Sequence, residues 1–326
     1  MRAIVFDGHL QLVRDYPIPE VMSGWARIRT LKAGICTTDI EITKGYKGFR
    51  GVLGHEFVGV VEPPVPRGAD SAWIGKRVVG EINVGCGACE RCAIGMERHC
   101  SHRKALGILD LDGCMADYCA LPLSNLHEVP ASIPDNRAVL MEPLSAACEI
   151  LEQIALTGSE RAVVLGDGRL GMLCAWVLLT ALQDVTLVGH HPAKLEKASW
   201  GDLKTTPTVP SSLKRSVDIV VEATGSPGGL ADAMALCRPR GTIVLKSTMA
   251  SEIAVDISAV VVNELTLIGS RCGPFKMGLN MLVSHPDMPL ERLISAEYPM
   301  DQGLAAFEEA RQSDTLKVLI DMAGPC

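Results

Sequence analysis

The chain has 326 residues, 48% of them apolar but only 4% aromatic, so it has length for two domains whose cores are built from Val, Ile, Leu and Ala. A formal net charge of -7 excludes the basic surface that nucleic acid or an anionic membrane would need. No apolar run approaches the ~18 residues of a bilayer span.

In chain order, the opening MRAIVFDGHLQLV alternates like a first strand and lacks a cleavable signal pattern, so the expected location is cytosolic. Twelve cysteines in a large chain without such a signal read as metal ligands or buried small side chains rather than disulfides. Residues 1–135 are rich in Gly and Pro, with short β-branched runs such as VGVVE and RVVG, and predict an irregular, mostly antiparallel domain. Over 136–272 the texture changes. Short apolar runs at 162–166, 185–189, 217–223, 242–246 and 265–269 alternate with helical patterns at 170–182 and 230–238. Such runs predict a doubly wound parallel sheet covered on both faces, an α/β Rossmann domain. Residues 273–326 are polar and helical before the strand-like LKVLIDM, and are expected to return to the first domain.

Two clusters suggest metal. Cys86, Cys89, Cys92 and Cys100 follow the spacing of a zinc knuckle, in which paired C-x2-C turns bring thiolates onto one tetrahedral ion. Four cysteines leave no open position, so this zinc is structural; an iron–sulfur cluster is the less favoured occupant because its ligands follow other spacings. Upstream, Cys36 in GICTTD and His55 in GHEFVG could bind a second zinc with an exchangeable position. Either residue alone is more often ordinary packing.

Together, G-H-E-x-x-G, G-I-C-x-T-D, GCGxCxxCxxGxxxxC and M-E-P-L resemble the zinc-containing medium-chain dehydrogenases over essentially the whole chain. Glu142 in M-E-P-L places the resemblance nearer the polyol and threonine dehydrogenase branch than the ethanol-type branch. The resemblance implies a GroES-like catalytic domain and a catalytic zinc held by Cys36, His55 and Glu142. Glu56 would be an exchangeable ligand or water holder, and Asp39 would orient His55. A helix N-terminal carboxylate is the other reading of Glu142. Thr38 matches the hydroxyl that relays the alcohol proton. Glu41 stands where ethanol-type enzymes commonly carry histidine, which leaves the last proton step open.

Gly166, Gly168 and Gly171 form G-x-G-x-x-G between a strand and a helix opening with Arg169 and Leu170, the context of a dinucleotide turn. The second strand ends in Gly189 rather than in the acid that reads the ribose of NAD, and His190, His191 and Lys194 follow. Loss of the carboxylate and gain of donors favour NADP over NAD, although the histidines could equally be ordinary loop residues. Thr224 and Arg271 match family loops that line the coenzyme. The expected activity is hydride transfer between NAD(P) and a secondary alcohol, a polyol or the corresponding carbonyl compound. A zinc-free quinone or enoyl reductase and a non-catalytic zinc- and nucleotide-binding sensor are the alternatives. The resemblance also implies a homodimer or homotetramer, in which residues 260–285 could pair sheets edge to edge.

Overall fold

A computed structural model describes residues 1–64, 69–248 and 254–322. The chain divides into two compact units, one of residues 1–142, 279–285 and 294 onward, the other of Pro143–Gly278 and Pro286–Leu293. Among the described residues no helix is long and apolar enough to cross a membrane.

The first unit is mostly β. Its larger sheet centres on the long strand Trp25–Ile35, where alternating burial reflects alternation of apolar and polar side chains. Glu56–Glu62 and Lys317–Asp321 run antiparallel on either side of it, with Gly34 opposite both Glu56 and Leu319. Ile294–Pro299 then adds parallel to Lys317–Asp321. A smaller sheet joins Leu10–Val13, Ala3–Phe6 and Gly51–Val52, and it carries the chain directly into the Gly54–Glu56 segment.

The second unit is a six-stranded parallel sheet. Its order is Lys204–Thr206, Asp184–Val188, Arg161–Leu165, Val217–Glu222, Cys237–Leu245 and Thr266–Gly269. The chain starts in the middle, winds to one edge, then returns to build the other, which creates the switch point where such sheets bind ligands. Val163, Val220 and Ile243 pack under Leu230 and Leu236 of the helix Gly229–Leu236; each such burial stabilises by about 1.5–3 kcal/mol. Trp176 is fully buried in the helix Arg169–Leu179 and satisfies its indole by donating to the Ala198 carbonyl at 2.7 Å.

Two elements differ from the sequence expectation. The helix expected over 230–238 stops at Leu236, and the next strand begins at Cys237, because Pro239 cannot continue a helix. The edge strand Lys204–Thr206 has no apolar run; its first two side chains are exposed, and backbone pairing alone defines it.

Candidate active site and metal centres

The four knuckle cysteines come together, with ligand atoms all within 4.8 Å of one another. Cys89 Sγ lies 3.5 Å from Cys92 Sγ and 3.7 Å from Cys100 Sγ. Four sulfurs at zinc–sulfur distance stand ~3.8 Å apart, so the set fits a tetrahedral zinc. The backbone prepares the thiolates. Amides of Cys86 and His102 donate to Cys100 Sγ at 3.4 and 3.3 Å. The Cys86 amide lowers the Cys100 thiol and the Cys92 amide lowers that of Cys89, whereas burial holds Cys92 up at about 11. The antiparallel pair Asn83–Val84 and Lys104–Ala105 closes the base of this lobe.

The second centre is built where the strand Trp25–Ile35 ends and the helix Thr37–Thr43 begins. Cys36 is the N-cap of that helix, and Asp39 reaches back to accept its amide at 2.8 Å. Asp39 is fully buried; its other oxygen accepts from the Gly54 amide at 3.2 Å and faces His55 Nδ1 at 3.2 Å, close enough for an ion pair but off the hydrogen-bond axis. Ring nitrogen Nε2 is thereby left for the Cys36 side. Burial pushes the His55 imidazole down, but the charges of Asp39 and Cys36 outweigh it and hold it well above the usual range. The Thr38 hydroxyl lies 3.8 Å from Cys36 Sγ.

Cys36, His55 and Glu56 present donor atoms all within 4.8 Å of one another. Glu142 stands in the first turn of the helix Met141–Gln153 and does not belong to that group. Glu56 is almost wholly buried, and Lys317, from the strand Lys317–Asp321, forms an ion pair with its Oε2 while donating to the Ile35 carbonyl at 3.1 Å. A side chain at position 34 would meet Glu56 Oε2 at 2.5 Å, so Gly34 makes room for this pair. Glu56 Oε1 is buried without a hydrogen-bond partner. An orphaned carboxylate oxygen beside a thiol and an imidazole is the donor chemistry that a zinc ion satisfies. Lys317 escaped the sequence reading; its one signal was a lone cation inside the apolar run LKVLIDM.

In the other unit, the turn after Arg161–Leu165 has the shape that a dinucleotide needs. Gly166 sits at φ 111°, open to glycine, and a Cβ on Gly171 would fall 1.9 Å from the Gly166 carbonyl oxygen. Nothing lies within 4 Å of a Cβ built on Gly168, the N-cap of Arg169–Leu179, so the face that pyrophosphate would approach is open. Leu170 follows Arg169 in the first turn of that helix.

The end of the second strand differs from the expectation of a site without a carboxylate. Asp167, between the two glycines, occupies that space: a Cβ on Gly189 would fall 2.2–2.4 Å from its side chain. Asp167 Oδ2 accepts from the His191 amide at 2.7 Å, and its oxygens lie 3.0 and 3.1 Å from His191 Nδ1. His190 is exposed and Lys194 half-buried in the helix Pro192–Lys197. The Asp in G-D-G was the signal that went unread. Thr224 is exposed, and its hydroxyl donates to the buried Glu222 at 2.6 Å and so shapes the turn. The carbonyl of Arg271 lies 3.4 Å from Lys246 Nζ, beside the buried Ser270.

Residues of the loops 45–50 and 106–114 share a cavity of about 480 Å³ in the first unit. Trp25, Lys47, Phe49, Arg50, Ile108 and Leu111 line it, and Cys36, His55 and Glu56 do not.

Comparison with known proteins identifies this arrangement. Residues 22–131 match the alcohol dehydrogenase GroES-like domain and residues 135–322 match the glucose dehydrogenase C-terminus. The chain belongs to the zinc-type medium-chain alcohol and polyol dehydrogenase family. Among its relatives, the starvation-sensing protein RspB of Escherichia coli is 28% identical over 285 residues, 83% of this chain and 84% of that protein. A sorbitol dehydrogenase of Halalkalibacterium halodurans is 26% identical and covers 96% of each chain. The crystal structure of an Escherichia coli alcohol dehydrogenase (rspB) complexed with NADH superposes with a TM-score of 0.89 at 26% identity, over 99% of each chain.

Proposed function

We propose that this oxidoreductase transfers hydride between NADP and a secondary alcohol or polyol, or reduces the corresponding carbonyl compound. The observation that carries the reading is the convergence of Cys36, His55 and Glu56, with the Thr38 hydroxyl 3.8 Å from the Cys36 sulfur. Cys36 and His55 would hold a catalytic zinc, Glu56 would bring its unsatisfied oxygen to it, and Glu142 would join on metal uptake. Cys86, Cys89, Cys92 and Cys100 would hold a second, structural zinc. Zinc supplies Lewis acidity that makes an alcohol hydroxyl easier to deprotonate, and the nicotinamide ring accepts or donates the hydride.

The chain's own groups do the remaining work. Asp39 faces His55 Nδ1 with its charge and anchors the Cys36 amide, so both ligands lie beside one carboxylate before metal arrives. Thr38, at the start of a short helix, takes the alcohol proton and passes it toward water or the coenzyme ribose. The open face at Gly168 and the amides of the first turn from Arg169 to Gly171 receive the pyrophosphate. His190, His191 and Lys194 favour the 2′-phosphate of NADP. Thr224 and Arg271 are assigned to the coenzyme's surroundings, the former by shaping its turn. Kinship with a sorbitol dehydrogenase supports a polyol as the substrate class.

The decisive experiment replaces Cys36 by Ser and assays a panel of secondary alcohols and ketones while zinc content is followed. Loss of turnover with one zinc retained is expected. Unchanged turnover would reject the catalytic zinc. A wild-type protein that binds coenzyme but turns over none of the panel would favour a sensor, a reading to which the name of one relative gives some support.

The edge strand Thr266–Gly269 follows a helix, Ile257–Val262, whose Ile257, Val261 and Val262 are 61%, 69% and 81% exposed. Such an edge beside an apolar patch supports a homodimer paired through these residues.

A further inference from the structure

We infer that Asp167 is a positioning residue for coenzyme selection: it holds the His191 imidazole so that the outward ring nitrogen donates to the 2′-phosphate of NADP. This rests on the NADP reading above and adds to it a residue that belongs to the glycine turn rather than to the strand end.

The geometry argues for a unit of two. Gly189 ends its strand without a side chain because the Asp167 side chain already fills that space, its carboxylate 2.4 Å from where a Cβ would lie. The negative charge expected of a ribose-reading acid is therefore present, but it comes from another segment and faces inward. Its side chain is only 9% exposed, against 48% for His191, so the imidazole forms the outer surface and the carboxylate lies behind it. Both carboxylate oxygens lie 3.0–3.1 Å from Nδ1, and Oδ2 also accepts the His191 amide at 2.7 Å. That clamp puts the proton on Nδ1, fixes the ring plane, and turns Nε2 outward.

The chemistry then separates the two coenzymes. A ribose 2′-hydroxyl is uncharged and gains little from a cationic donor, and the carboxylate that could accept from it is covered. A 2′-phosphate needs donors and positive charge: with Nδ1–H held by Asp167, the ring takes its second proton at Nε2, from solvent or from the phosphate itself, and donates it to the phosphate while Asp167 balances the charge. Lys194, in the short helix Pro192–Lys197 that His191 caps, adds positive charge to that surface. Asp167 never touches the coenzyme in this arrangement; it acts through His191.

The test titrates purified full-length protein with NADPH and NADH by coenzyme fluorescence, comparing wild type with Asp167→Asn and His191→Gln. Expected are wild-type preference for NADPH, roughly tenfold weaker NADPH binding in each variant, and NADH binding changed less than about twofold. Tighter NADPH and weaker NADH in Asp167→Asn would mean that Asp167 meets the ribose directly, which overturns the inference. Equal weakening of both coenzymes would assign Asp167 only to the shape of the turn and overturn it too. A wild type that prefers NADH would reject the NADP reading itself; a wild type that prefers NADPH, with a ratio unmoved in Asp167→Asn, would reject only the role of Asp167. Nitrogen-15 spectra of the wild-type histidines give a check that needs no variant. The neutral His191 ring is expected to be protonated at Nδ1, and a ring protonated at Nε2 would overturn the clamp.

Discussion

Lys317 and Glu56 are 261 positions apart in sequence and form a buried ion pair in which each side chain is 1% exposed. Through Glu56 the pair adjoins Cys36 and His55, so this candidate metal site borrows its charge balance from the strand Lys317–Asp321.

Removing one partner of such a pair leaves the other charged and unsolvated. Lys317→Met is expected to cost about 3–5 kcal/mol, read as a fall in the urea midpoint, while Glu56→Gln with Lys317→Met recovers most of that loss. A Lys317→Met protein as stable as wild type would show that the buried carboxylate does not depend on the lysine.

The two proposed zinc sites are separable by composition. Cys100→Ser is expected to lower zinc from about two ions per chain to about one by elemental analysis and to reduce thermal stability, since a structural zinc contributes folding free energy directly. Cys36→Ser is expected to lose the other ion with a smaller change in stability. Identical zinc content in both variants and wild type would contradict the assignment.

Coenzyme specificity at Gly189 is not open to a simple exchange. Gly189→Asp, the substitution that sequence logic suggests for installing NAD preference, drives a side chain into Asp167. It is expected to lower the melting temperature by several degrees, and Asp167→Gly in the same chain is expected to restore it. Should Gly189→Asp alone be tolerated and switch preference to NADH, the crowding at this strand end would be refuted.

Glu160, at the foot of the first parallel strand, accepts from the amides of Thr157 and Gly158 and from the Thr157 hydroxyl. The Thr157 amide leads in lowering the Glu160 carboxyl to about 2. A depressed folded-state value means the contribution is complete above the unfolded value and is lost as pH falls through the folded one. The gap in melting temperature between wild type and Glu160→Gln is therefore expected to be constant from pH 7 to about 5 and to shrink below ~4.5. A gap that widens on acidification would reverse the sign.

Oligomeric state is a further check on the exposed patch. Val262→Glu is expected to shift the protein toward monomer in light scattering at micromolar concentration, because it puts charge at the most exposed of the three apolar side chains. No change in mass would place any subunit contact elsewhere.

Where periodicity and spacing carry the information, the sequence reading reached far. The five apolar runs coincide with parallel strands because a sheet covered on both faces demands apolar side chains on both. The knuckle cysteines were legible because their spacing is local. The strand Lys204–Thr206 was not, since backbone pairing leaves no pattern in exposed threonines. Lys317 and Asp167 share a different reason. Each acts on a residue far along the chain, 261 positions for Lys317 and 24 for Asp167, and nothing local in a sequence says which distant side chain will share a small buried space. Of the two carboxylates expected at the metal, Glu56 groups with Cys36 and His55 within 4.8 Å, and Glu142 is not in that group.

The pairing of Lys317–Asp321 against Trp25–Ile35 also sets an order of assembly on the ribosome. The parallel sheet of Arg161–Gly269 has all of its strands once residue 269 has been made, and the four knuckle cysteines are complete far earlier. The Cys36 centre must wait for Lys317, so until then Glu56 remains an acid in search of a counterion. The proposed structural ion therefore has its ligands well before the cluster at Cys36 can close, and the proposed activity is expected as a late event in synthesis rather than one that grows with chain length.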